Sequence, residues 1–199
     1  MPVLKFLKQL IIERRLSMAT RVYLGVGSNL NKENALRFAV AKLEPLFKNF
    51  VKSSVWSSHA IRTAEPDYLN MVVGGDVDMS LEDLFKAIEE IERLAGKELM
   101  FNHGTNFGVK RRLDIDILVY GDTVTTTPCK LPRHDIQDYP FVLCPLCELD
   151  ADLVHPLLNI RVGEIWAEME PRLPDNHRVA KACIDWSVEA PEWDGSEAE

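Results

Sequence analysis

Apolar and polar residues alternate most clearly between Arg111 and Tyr120, where Leu113, Ile115, Ile117 and Val119 take every second position. A period of two predicts a strand with one face on a core. It sets Asp114, Asp116, Leu118 and Tyr120 on the opposite face. Earlier in the chain, Arg21 to Gly27 predicts a short first strand, and Ser28-Asn29-Leu30-Asn31 a turn. Lys32 to Phe47 carries Ala35, Phe38, Ala39, Leu43, Leu46 and Phe47 at helical spacing, with Pro45 at its frayed end. Phe50 to Ser58 and Tyr68 to Val77 read as two strands around an irregular loop from about His59 to Asp67. Ser80 is placed to cap a second helix whose stripe is Leu81, Leu84, Phe85, Ile88, Ile91 and Leu94, and Gly96 to stop it.

Lys97 to Lys110 is a polar loop with two glycines that leads into the opening strand. Strand, helix, strand, strand, helix, strand is the βαββαβ order of a ferredoxin-like α+β sandwich, here with C-terminal additions. Those additions are a loop or helical turn over Leu131 to Asp138, an apolar strand-like run over Phe141 to Leu149 interrupted by Pro145, and a small surface helix over Val162 to Glu170. Residues 20–188 are expected to form one domain. Residues 1–19 are an extension, helical or optional: Met1 to Ser17 suits either a dispensable amphipathic segment or a partner-binding helix. Residues 189–199, acidic in composition, are expected to be a disordered tail.

Composition narrows the class. With 199 residues and 46% hydrophobic content, one substantial core is affordable. A net charge of -8 argues against general binding to nucleic acid or to a membrane surface, which favour basic patches. The opening segment lacks the uninterrupted apolar core of a secretory leader. Together with four cysteines of no framework pattern, this predicts a cytoplasmic protein with reduced thiols. Cys144-Pro145-Leu146-Cys147 has redox or zinc spacing, yet it lies in an apolar run without a second pair, which favours core thiols.

The candidate chemistry is the aspartate pair. Two positions along a strand rise roughly 6.6 Å, so Asp114 and Asp116 can converge on a divalent cation; alternatively they are solvent-facing carboxylates paired with nearby arginines. Oxygen-only ligands suit a hard ion, and magnesium takes one or two carboxylates and completes its shell with waters and substrate phosphates. Arg111 and Arg112 directly upstream would hold such phosphates. The glycines of Leu24-Gly25-Val26-Gly27-Ser28 are not a nucleotide fingerprint, since neither a Gly-Lys-Ser/Thr nor a third, helix-opening glycine follows.

Four stretches together resemble the 6-hydroxymethyl-7,8-dihydropterin pyrophosphokinase family of folate biosynthesis: Leu24 to Leu30, Pro66-Asp67-Tyr68-Leu69-Asn70, Arg111-Arg112-Leu113-Asp114-Ile115-Asp116, and Phe141 to Leu146. The resemblance covers roughly Arg21 to Leu149 and is that of a divergent member. It implies transfer of a diphosphate from ATP, as co-substrate, to a pterin alcohol. Asp114 and Asp116 would be the ligands of two Mg2+ ions. Tyr68 and Phe141 would sandwich the pterin, and Ser58 and Asn70 would bond its polar edge. Glu89, Glu92, Arg111, Ile117 and Arg133 would contact ATP, with Lys97 and Arg111 steadying the transferred charge. The resemblance also leaves room for a catalytically impaired pterin- or nucleotide-binding relative, or for an enzyme of a related pterin. It implies a monomer or weak homo-oligomer. Arg133 and Tyr139 stand where the family usually has a histidine and an arginine at the ATP phosphates, which predicts altered nucleotide binding.

Overall fold

The computed structural model describes residues 19–58, 67–101 and 107–195, and for 97–101 and 107–111 the backbone alone. The extension over residues 1–18 and the loop over 59–66 lie outside the described residues. Strand β1 (Thr20–Ser28) leads into α1 (Lys32–Leu43), β2 (Lys48–Lys52), β3 (Val55–Ser58), β4 (Tyr68–Val77) and α2 (Leu81–Ala95). A hairpin of β5 (Lys97–Phe101) and β6 (Phe107–Arg111) precedes β7 (Asp114–Tyr120). Three helices follow, α3 (Asp135–Asp138), α4 (Pro140–Asp150) and α5 (Val162–Met169), and the last strand is β8 (Ala180–Ala182).

The main sheet runs β7-β1-β4-β3-β8 with β2 also on β4, and every pairing is antiparallel. This is the ferredoxin-like order, in which β1 and β4 form the centre and β7 an edge. The amphipathic stripe of α2 buries Leu81, Leu84, Ile88, Ile91 and Ala95. Ser80 caps it, its Oγ accepting the Asp83 N–H at 3.2 Å, and Gly96 ends it at φ 88°. Together with α1, which buries Leu36, Phe38 and Leu43, it covers one face of the sheet. A second, smaller core on the opposite face joins Tyr23, Val72, Leu118 and Val119 to Ile136, Leu143, Leu146 and Val162 of α3 to α5.

Several expectations are corrected here. The strand over Phe50 to Ser58 is broken in two, because the Ser53 hydroxyl accepts the Val72 N–H at 3.0 Å in place of a ladder carbonyl. The run Phe141 to Leu149 is helix α4, not strand. Pro140 suits a helix's first position, and an apolar run this short has no period that separates strand from buried helix. The loop Lys97 to Lys110 contains the strands of the β5–β6 hairpin. In β7 the alternation is reset by a bulge: Leu24 pairs with Ile117 and Tyr23 with Val119, so Leu118 is left over. Leu118 and Val119 therefore both join the second core, and Tyr120 turns to the first, its hydroxyl donating to the Met79 carbonyl at 2.7 Å. Within the stretch expected to be a loose tail, Trp193 packs on Phe38 with ring centroids 5.0 Å apart.

Candidate functional site

Strand register brings the site together. Gly27 of β1 pairs with Asp114 on one side and Asn70 on the other, and Gly25 pairs with Asp116 and Val72. Directly opposed residues share a face, so both aspartates, both glycines and Asn70 lie on the face that α4 partly covers. Because Gly25 and Gly27 carry no side chain, a trench runs between the β7 carboxylates and the β4 amide. A Cβ at Gly27 would lie 3.2 Å from Asn70 Oδ1 and crowd it. The trench is a cavity of about 60 Å³ lined by Gly25, Gly27, Asn70, Asp114, Asp116 and Phe141.

Along β3 and β4 the same face continues through Ser58, which pairs with Tyr68, and Trp56, which pairs with Asn70. Asn70 and Ser58 are buried, and the Asn70 amide donates to the Ser58 hydroxyl at 3.0 Å. Phe141 enters from the first turn of α4, half-buried, with the ring of Tyr139 stacked on it at 5.0 Å and 20°. Tyr139 thus packs with the aromatic group and not among the residues of the second cavity.

That second cavity, about 210 Å³, lies between α2 and β7 and is lined by Phe85, Ile88, Glu89, Glu92, Ile117 and Arg133. Glu89 is exposed at its rim. Glu92 is buried, and its carboxylate accepts the Ile115 N–H at 2.8 Å, which satisfies a backbone donor on an edge strand between the two aspartates. Arg133 joins the two cavities: Nη2 lies 3.0 Å from Asp116 Oδ2 and Nε donates to Asp135 Oδ2 at 2.7 Å. Burial opposes the Arg133 charge, but the bond to Asp135 and the charges of Asp116, Asp135 and Asp114 outweigh it and hold its pKa above the ordinary arginine value.

Of the residues expected from the sequence, Asp114, Asp116, Asn70 and Phe141 share one cavity, and Glu89, Glu92, Ile117 and Arg133 share the other. Ser58 and Tyr68 adjoin the first by register. Lys97 and Arg111 are paired at the base of the hairpin, and their side chains lie outside the described residues. Sequence reasoning missed Trp56, Asp135 and Cys129. Trp56 was findable, two positions before Ser58 on one strand; Cys129, which lines the second cavity, carried no signal.

Among the described residues no group of three or more His, Cys, Asp or Glu is arranged for a metal. The donor set at the trench is therefore two carboxylates, which fits a magnesium ion that takes its remaining ligands from water and phosphate. Cys144 and Cys147 are unpaired, and burial pushes their thiols up to about 11 and about 12, the values of inert core cysteines. No helix among the described residues is long and apolar enough to cross a membrane.

Comparison with known proteins identifies the family and the fold. Residues 23–151 match the family model described as 7,8-dihydro-6-hydroxymethylpterin-pyrophosphokinase (HPPK). The chain is 32% identical over 154 residues to the 2-amino-4-hydroxy-6-hydroxymethyldihydropteridine pyrophosphokinase of Aquifex aeolicus, spanning 76% of this chain and 92% of that one. It is 30% identical over 139 residues to the enzyme of the same name from Haemophilus influenzae, spanning 67% and 84%. Among solved structures, a Plasmodium falciparum HPPK-DHPS triple mutant with pteroate superposes at TM-score 0.64 and 12% identity, over 83% of this chain and 48% of that one. The chain thus spans about half of that longer protein, and the likeness shows the fold. By the family match and the two curated relatives together, the chain belongs to the 7,8-dihydro-6-hydroxymethylpterin-pyrophosphokinase family.

Proposed function

We propose that the chain transfers a diphosphate from ATP to the hydroxymethyl group of 6-hydroxymethyl-7,8-dihydropterin, releasing AMP. The observation that carries this is the junction of the two cavities: Asp114 and Asp116 face a trench floored by glycine, and Asp116 meets Arg133 at the entrance to the second cavity. A pterin in the trench and a nucleotide in the second cavity would have their reacting groups meet at the carboxylates.

Each side chain then has a task. Asn70 and Ser58, already hydrogen-bonded to each other, present polar atoms to the pterin edge, and Phe141 and Tyr68 offer ring faces for stacking, worth about 0.5 to 1.5 kcal/mol beyond burial. Glu89, Glu92 and Ile117 line the nucleotide side. Arg133, fixed by Asp135, holds a positive charge at the seam where the polyphosphate lies. Lys97 and Arg111 steady the charge that builds on the transferred group. The pterin oxygen attacks the β-phosphorus in line and AMP leaves, so catalysis is mostly positioning and electrostatics. Magnesium held by Asp114 and Asp116, two ions by the family resemblance, would supply neutralisation of the phosphate charge. We place the enzyme in the cytoplasm, as a monomer or weak homo-oligomer acting on two small molecules. The test is AMP release from Mg-ATP: it should require the pterin, and its absence with both substrates present would refute the assignment.

A further inference from the structure

Arg112, between the hairpin and β7, is 8% exposed. A buried guanidinium is costly unless compensated. Its Nη1 donates to the Ala95 carbonyl at 3.1 Å, and its guanidinium carbon lies 4.7 Å from the centroid of the Trp193 ring, within cation–π range. Its Nε, also buried, has no hydrogen-bond partner among the described residues, so the indole face is a main part of what offsets the charge. The Arg112 carbonyl in turn accepts the Ser28 hydroxyl at 2.6 Å, at the end of β1 next to Gly27.

The position of these contacts matters. Ala95 ends α2, Gly96 turns the chain, and Lys97 opens the hairpin opposite Arg111. The Arg112–Ala95 bond therefore ties the chain just before the hairpin to the chain just after it. Trp193 sits on that tie. Its own segment is fastened independently: the Gly195 N–H donates to the Leu94 carbonyl at 3.0 Å, and Arg37 Nε to the Asp185 carbonyl at 2.9 Å. Asp185, Trp193 and Gly195 lie beyond residue 151, where the family match ends, whereas their partners Arg37, Leu94 and Arg112 lie within it.

We propose that Trp193 is a positioning residue for diphosphate transfer: by stacking on Arg112 it fixes the base of the hairpin that carries Lys97 and Arg111. The proposal rests on the reading of those two side chains as the charges that meet the transferred group. Contacts that tighten only in the transition state show in kcat and not in KM. A loosened hairpin base should therefore slow turnover without weakening either substrate.

The experiment compares Trp193→Leu, which keeps apolar bulk but has no π face, with Trp193→Phe, which keeps one, and with Trp186→Ala as a control elsewhere in the same segment. Amide hydrogen exchange over residues 97–101 and 107–111 should speed up about tenfold in Trp193→Leu, and kcat should fall about tenfold with both KM values within about twofold. Trp193→Phe should recover most of both effects, and Trp186→Ala should show neither. Unchanged exchange in the hairpin, or a wild-type kcat in Trp193→Leu, overturns the proposal. So does exchange that rises everywhere, since the role is then one of global stability. If the wild type itself releases no AMP, the functional reading fails, while the exchange comparison still decides whether Trp193 holds the hairpin.

Discussion

The face of the sheet beneath α4 has two halves built from the same strands. Toward one end, β1, β4 and β7 contribute Gly25, Gly27, Asn70, Asp114 and Asp116, and the surface is an open trench. A few residues along, the same strands contribute Tyr23, Val72, Leu118 and Val119, sealed by Ile136, Leu143, Leu146 and Val162. The bulge at Leu118 marks the change, because it turns two consecutive apolar residues to the covered side. The comparison teaches that the site is a gap in the helical layer. One half spends its side chains on burial, and the other leaves polar atoms exposed beside that packed neighbour.

That division can be broken from either side. The largest change in stability should come from the covered half: Leu146→Ala removes a fully buried side chain and should cost about 2 to 5 kcal/mol. A denaturant titration would measure it, with kcat of the remaining folded enzyme changed little. In the open half the signature should reverse. Gly27→Val would fill the trench against Asn70 and should weaken pterin binding by about 2 kcal/mol or more, some thirtyfold, with the melting temperature shifted only slightly. Calorimetric titration with the pterin decides this.

Tyr139 sharpens the comparison at the border. Its ring backs Phe141, so Tyr139→Ala should loosen the stacking platform and weaken pterin binding by about 0.5 to 1.5 kcal/mol. Tyr139→Arg should do likewise and leave affinity for a non-hydrolysable ATP analogue unchanged. The simple substitution logic of arginine replaced by tyrosine predicts tighter nucleotide binding instead, and parallel titrations separate the two. The smallest effect belongs outside both halves. Deleting residues 1–17 should leave kcat and Tm nearly unchanged, because the ordered sheet begins at Thr20.

Where sequence was informative, the signal was local. Ser80 and Gly96 bound α2 because capping and a positive φ are decided within a turn of chain. The aspartate pair was visible because alternation places residues two apart on one face. The remaining features depend on partners distant in sequence. Phe141 to Leu149 is buried on several sides once α5 and the sheet are present, which erases the one-sided pattern that would have marked a helix. The bulge at Leu118 follows from register against β1, and the packing of Trp193 follows from Phe38 and Arg112, far upstream. Glu92, expected to contact ATP, lines the second cavity, and its carboxylate is also held by a backbone N–H that only the packing of α2 against β7 supplies. The residues proposed for the pterin rest on family resemblance; nothing in their spacing alone identified a pterin.

The central claim, that the open half is a diphosphate-transfer site organised by two carboxylates, is tested most directly by AMP release from Asp114→Asn and Asp116→Asn at saturating Mg-ATP and pterin, alongside circular dichroism melts. Each variant should lose about a hundredfold or more in rate with its fold intact, since one missing charge leaves the transferred group uncompensated. A near-wild-type rate from either variant would contradict the account.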